Sequence, residues 1–293
     1  MDMLIQSLVN GVIGSLILIL IALGLCLIFG IMHIVNFAHG EFFMLGGFGA
    51  WFFFVKYPLP FIESDYLRFV FAVILSMVVV GFLGVIAEKY ILRPFREDFQ
   101  AAIIAATGLM LILQAGALVS FGATDKVISS PFSGMVSLGT ISFSSERLAA
   151  IVCGVVFIIS LSFFILKTKL GKAMRAVSQD QEAALLQGVN IDCIFSLSMA
   201  IGCALAAAGG ALVGPIFYVN PYMGVEPIMK AFIVIILGGM GSLPGAIICG
   251  FIIGMTESFI STYVGAHFSM VVVFLLLIGV LLIKPTGLFG HAE

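Results

Sequence analysis

Long uninterrupted apolar runs decide what this chain can become. Nine can be marked, at residues 7–30, 38–55, 68–92, 100–122, 147–166, 193–218, 227–241, 245–262 and 268–284, with mostly short connections between them. An α-helix crosses the hydrocarbon of a bilayer in about 20 residues. The chain is 62% hydrophobic and 10% charged, whereas a soluble domain is roughly half apolar and about a quarter charged. Too few polar atoms remain to cover such a body in water. Inside a membrane every backbone N–H and C=O needs an internal partner, and these runs are too long and continuous for barrel strands. The expectation is an all-α, polytopic membrane helix bundle of about eight to ten spans, forming one domain over residues 1–293.

Orientation follows from the basic residues. Lys89, Arg93 and Arg96 share one connection, Lys167, Lys169, Lys172 and Arg175 another, and Lys284 closes the last run. The connections 56–67 and 123–146 instead carry Glu63, Asp65, Asp125 and Glu146. An even number of spans separates each basic site from the next, so all three fall on one side, the cytoplasm. That places the C-terminus inside and, with nine spans, the N-terminus outside. No basic residue precedes the first run, so a cleavable signal peptide is not expected.

Several chemistries find no support. The cysteines at 26, 153, 193, 203 and 249 are odd in number, and their spacing fits neither a metal site nor a disulfide framework. They read as small buried thiols. There is no phosphate-binding G-x-x-x-x-G-K-[ST] loop, so any ATP must be bound by another chain. Neither H-E-x-x-H nor G-x-S-x-G occurs, which argues against an intramembrane hydrolase. Nothing points to metal, to a cofactor held by this chain, or to nucleic acid.

The basic loop over about 168–192 has structure of its own. Ser178 and Gln181 have the spacing of a capping box, Asp180 adds negative charge at a helix start, and Gly188 is placed as a helix stop. Asn190 or Asp192 can cap the span that follows. The predicted helix, 179–187, is too short and too weakly basic to hold a lipid surface well. Leu185 and Leu186 then need a protein partner.

The densest polar cluster is "HIVNFAHGEFFMLGG", His33 to Gly47, between two apolar runs. A solvated turn is one reading. Its flanks leave little room for an aqueous loop, and ionisable residues at membrane depth usually face a bundle interior or water path. An interrupted helix is preferred, with Asn36, His39 and Glu41 lining a translocation path, and Gly40, Gly46, Gly47 and Gly49 permitting a break and close helix approach. "LGGFG" at 45–49 is echoed by "LGGMG" at 237–241 in a span of opposite direction, the pattern of a possible inverted repeat. Gly238 and Gly239 join the candidate path on that ground. Glu257, late in an apolar run, is either a path residue or an interfacial snorkeller. Trp51 reads as an interfacial anchor, "YVNPYMG" at 218–224 as an outer loop, and Gly210-x-x-x-Gly214 and Gly250-x-x-x-Gly254 as packing faces.

Four motifs, in order along nearly the whole chain, carry a resemblance: "VNFAHGEFFMLGG", "GKAMRAVSQDQEAALLQGVN", "VIILGGMGSLPGA" and "KPTGLFG". The chain resembles the branched-chain amino-acid ABC transporter permeases of the LivH type. "EAALLQG" is similar to the E-A-A-x-x-x-G signature of importer membrane subunits, although the Ile-x-Leu-Pro of the general signature is missing. The resemblance implies that Gln181, Glu182, Ala183, Ala184, Leu185 and Gly188 belong to a coupling helix that docks on an ATPase. It implies as partners two ABC ATPase subunits, a second, homologous permease subunit and a periplasmic substrate-binding protein, in the bacterial inner membrane. It leaves urea or a short amide as an alternative substrate. A proton-coupled secondary transporter using His39 and Glu41 is the competing mechanism.

Overall fold

A computed structural model describes residues 2–57, 62–129, 134–138 and 141–290. The chain ends and small parts of the connections 56–67 and 123–146 therefore lie outside the described residues. In order, the helices are α1 (Asp2–Met32), α2 (His39–Trp51), α3 (Asp65–Ala87), α4 (Phe99–Phe121), α5 (Ser145–Lys167), α6 (Lys169–Gln179), α7 (Gln181–Leu186), α8 (Ile191–Val213), α9 (Val225–Gly238), α10 (Leu243–Tyr263) and α11 (Ala266–Ile283). Before α5 two four-residue strands, β1 (Met135–Leu138) and β2 (Ile141–Ser144), form an antiparallel hairpin.

Among the described residues, seven helices are long and apolar enough to cross a membrane: α1, α3 with its continuation to Phe95, α4, α5, α8, α10 and α11. The protein is a polytopic helical membrane protein. Two expected spans are built on α-helices too short to cross by themselves. α2 has 13 residues and α9 has 14, about 20 Å each, against a hydrocarbon core of about 30 Å. α2 continues through a π-turn at Phe52–Lys56.

α1 is the axis of the bundle. Every side chain from Leu18 to Leu23 is buried, with α10 along one side and α8 along another. α8 also supports α2 and α3. These helices approach until backbones touch. A Cβ added to Gly46 would lie 2.3 Å from the Ala207 backbone, and one at Gly210 would lie 1.9 Å from the Phe43 carbonyl oxygen. Gly24 meets the Gly202 carbonyl, and Gly254 meets Ser15. Small residues at crossings are how membrane helices gain close packing without a hydrophobic force between them. Both expected G-x-x-x-G faces are used inside this chain.

The basic connections gather at one end, as the parity of spans requires. Gln181 Nε2 donates to the Ile31 carbonyl at the end of α1, Arg93 and Arg96 pair with Asp192 at the start of α8, and the segment after Lys284 returns to the end of α9.

Gly210→Val should cost about 3 kcal/mol by overpacking the α2–α8 crossing. Gly279→Val on α11, where an added side chain meets nothing within 4 Å, should leave stability unchanged. Thermal unfolding in detergent compares the two.

Candidate translocation site

α1 has 31 residues, a rise of about 46 Å. After Met32 the chain leaves the helix at His33, whose φ of 56° is the single positive value at a non-glycine among the described residues. Residues 33–38 then run back between the helices, and α2 begins at His39. Its depth can be read from its contacts. His39 Nε2 lies 3.1 Å from the carbonyl oxygen of Ile21, about 16 Å inside the basic end of α1 and about 6 Å from its midpoint. Asn36 Nδ2 approaches Met199 Sδ at 3.7 Å, about 12 Å inside the start of α8. A re-entrant break carries these residues into the interior. The solvated-turn reading is incompatible with Asn36 at 0%, His39 at 0% and Glu41 at 2% exposure.

Three buried atoms here lack a hydrogen-bond partner: Asn36 Oδ1, His39 Nδ1 and Glu41 Oε2. Buried polar groups in folded proteins are almost always satisfied, so three exceptions within six residues set this stretch apart. Asn36 and His39 face the α1–α8 crossing, where Gly24 touches both His39 Nε2 and the Gly202 carbonyl. Glu41 sits two residues on, about 200° around the helix, and does not face His39. A direct proton relay between them is absent from this geometry.

The other expected path residues separate. Gly46 and Gly47 are crossing points, against Ala207 and against Gly210, Val219 and Met223. Gly40 and Gly224 meet backbone to backbone, so the first turns of α2 and α9 abut. Gly238 and Gly239 lie far along α9. Gly238 packs on Gly245 and Gly239 on Gly290, while Leu288 and Phe289 donate their N–H groups to the carbonyls of Leu237 and Gly238. They anchor the C-terminal "KPTGLFG" rather than join Asn36 and His39. The "LGGFG" and "LGGMG" echo therefore covers unlike structures. The first lies inside α2, whereas the second ends α9 with Gly239 and Gly241 at φ 92° and 89°.

Glu257 is resolved by a residue that the sequence reading passed over. Lys230, nearly buried on α9, bridges Glu226 and Glu257. Its neighbour Ser258 donates to the Ser7 carbonyl, which puts the triad level with the first turns of α1, at the end opposite the basic loops. Trp51 lies towards that end, with Lys56 and Lys126 within 6 Å of its ring, and Val219 of the 218–224 loop pairs with Lys126. Of the thiols expected to be buried, Cys26, Cys203 and Cys249 are, Cys153 is half-buried, and Cys193 is exposed in the first turn of α8.

The basic loop holds two helices where one was expected. Thr168 caps α6 through the Gly171 N–H, and Gly171 lets α6 fold tightly onto the end of α5. Met174 and Val177 bury its apolar face. Ser178 lies inside α6 and donates to the Arg175 carbonyl, so the capping box does not form. Asp180 caps α7 instead, accepting from Ala183 N at 2.9 Å. Gly188 takes φ 79° as the stop, and Asn190 caps α8. In α7 Ala184 is buried, while Leu185 and Leu186 are 59% and 86% exposed. A cavity of about 730 Å³ opens beside it, lined among others by His33, Arg96, Gln181, Leu185 and Asp192.

A second missed group stabilises this end. Glu88 is fully buried in a π-turn, Glu88–Leu92, that closes α3. Arg93 holds it bidentately at 3.0 and 2.8 Å, and Ser196 of α8 donates to it at 2.6 Å. Arg93 was read as an orientation signal; its carboxylate partner five residues earlier was the available clue.

Together these features define a class: a polytopic permease-like bundle with a re-entrant polar break in its interior and a separately capped helix pair at one end. The comparisons place it more narrowly. Residues 7–281 match the family described as branched-chain amino acid transport system / permease component, and the chain belongs to that family. It is 35% identical to the high-affinity branched-chain amino acid transport system permease protein LivH of Salmonella typhimurium, covering 98% of this chain and 96% of that protein. It is 33% identical to the corresponding BraD protein of Pseudomonas aeruginosa, over 98% and 96%. A probable LivH of Methanocaldococcus jannaschii is 26% identical over 96% and 91%. No solved structure matches it.

Arg93→Met should destabilise the fold by about 3–5 kcal/mol, because it strands the buried Glu88 carboxylate. Adding Glu88→Gln should restore much of that loss, as measured by thermal unfolding of the single and double variants.

Proposed function

We propose that this chain is a permease subunit of an ATP-driven ABC importer that passes branched-chain amino acids into the cytoplasm. The supporting observation is α7. A two-turn helix with two exposed leucines, capped at both ends and projecting at the basic end of a membrane bundle, has the form of a docking element. Gln181, Glu182, Ala183, Ala184, Leu185 and Gly188 compose it together with its stop. On this reading ATP is bound by two ATPase subunits, and a second homologous permease completes the passage. A periplasmic binding protein delivers substrate at the outer end, in the bacterial inner membrane, with the basic end and the C-terminus in the cytoplasm.

The path runs by Asn36, His39 and Glu41. α7 is connected to them through Gln181 on Ile31, at the end of α1, directly before the His33 turn that starts the break. A displacement of α7 by a bound ATPase then acts on the segment that carries the polar cluster.

Two measurements test this. In proteoliposomes of the complete complex, Gly188→Trp should abolish substrate-stimulated ATP hydrolysis while membrane insertion persists; coupled hydrolysis and ATPase co-purification that both survive would exclude the coupling role. Leucine uptake should continue when an uncoupler collapses the proton gradient and ATP is maintained. Loss of uptake there would favour the proton-coupled mechanism instead.

A further inference from the structure

The unpartnered atoms in the break share one chemistry. His39 Nε2 lies beside the Ile21 carbonyl, which can only accept. The single proton of a neutral ring therefore sits on Nε2, and Nδ1 is left as an acceptor. Asn36 turns its amide nitrogen toward the Met199 thioether, an acceptor, which leaves Oδ1 as the free atom. Glu41 contributes a carboxyl oxygen. Among the described residues these three are the buried side-chain atoms without partners, and no N–H donor is among them. Among these side chains, the missing partner is a donor.

The surroundings sharpen this. Asn36 and His39 are wholly buried, in the crevice where α1 and α8 cross at Gly24 and Gly202. Apolar groups flank them: Met199, and Phe37 in ring contact with Phe232 at 5.0 Å. The N-terminus of α2 by itself would favour an anion, but the Glu41 carboxyl already occupies its first turn. An incoming carboxylate would meet acceptor atoms and a carboxyl group. An ammonium group would satisfy them, and its charge would strengthen each bond.

Resting on the permease reading above, we propose that Asn36 Oδ1 and His39 Nδ1 form an ammonium-binding subsite. Substrate enters it amine first when the α1–α8 crossing opens, with its side chain against Met199 and the Phe37–Phe232 pair. The subsite is closed in this structure, so two acceptors stay unpaired at rest. Filling them, or removing them, relieves the bundle.

That last point gives a test that a structural role would not pass. Asn36→Leu and His39→Leu remove an orphan acceptor, so they should keep or raise the melting temperature of the assembled complex, since an unpaired buried acceptor is costly. Their ATP-driven leucine uptake should fall about tenfold to a hundredfold. Asn36→Asp and His39→Asn keep an acceptor at the Oδ1 and Nδ1 positions and should transport within a few-fold of the unaltered complex. The binding protein is the same throughout, so it does not enter the comparison. Leu variants that transport normally would overturn the subsite. So would Leu variants that lose melting temperature together with uptake, or acceptor-retaining variants that are as defective as the Leu ones. An unaltered complex that moves no leucine with ATP would instead overturn the permease reading itself.

Discussion

Everything in this bundle depends on how backbone and side-chain polar groups find partners where no water reaches. Regular helices solve that for most of the chain. The break at 33–38 does not, because after His33 the chain leaves helical hydrogen bonding on its way into the bundle. It is tolerated because α1, α8 and α9 enclose it. Gly24, Gly202 and Gly224 allow that enclosure to come down to backbone contact. Among side chains, the unpaired buried atoms of the described residues all fall in or just after this break, at Asn36, His39 and Glu41.

The same economy explains the two ends. At the basic end a fully buried carboxylate, Glu88, is tolerated because Arg93 and Ser196 saturate it, which ties α3 to α8 beside the exposed face of α7. At the other end Lys230 takes two carboxylates from α9 and α10. Both networks are closed and satisfied. The Asn36–His39 pair lies between them and is left unpaired. A rigid frame with unsatisfied groups at its centre is what a passage for a polar solute requires, since a fully satisfied interior offers a ligand nothing to bind.

Much of this was legible from the chain. Apolar run length specified a helical membrane bundle, and the positions of Arg93, Arg96, Lys172, Arg175 and Lys284 specified which connections share an end. The polarity of Asn36, His39 and Glu41 between apolar flanks marked an interrupted helix, and Gly188 and Asn190 marked the stop and the next cap. These are local signals, carried by residue type and spacing alone.

What only the tertiary structure decided was depth and partnership. The two short helices occupy runs apolar enough to be marked as spans, because hydropathy does not record where a helix starts relative to its neighbours. Ser178 lost the cap to Asp180 because a preceding helix, α6, packs Met174 and Val177 and carries Ser178 inside it. Gly238 and Gly239 went to the C-terminal segment, and Glu257 to Lys230, through contacts between residues 27 or more positions apart. By itself the sequence determined which residues were too polar for lipid. Which of them would be satisfied, and which left unpaired, was decided by packing, because a hydrogen bond needs a partner in space and not in sequence.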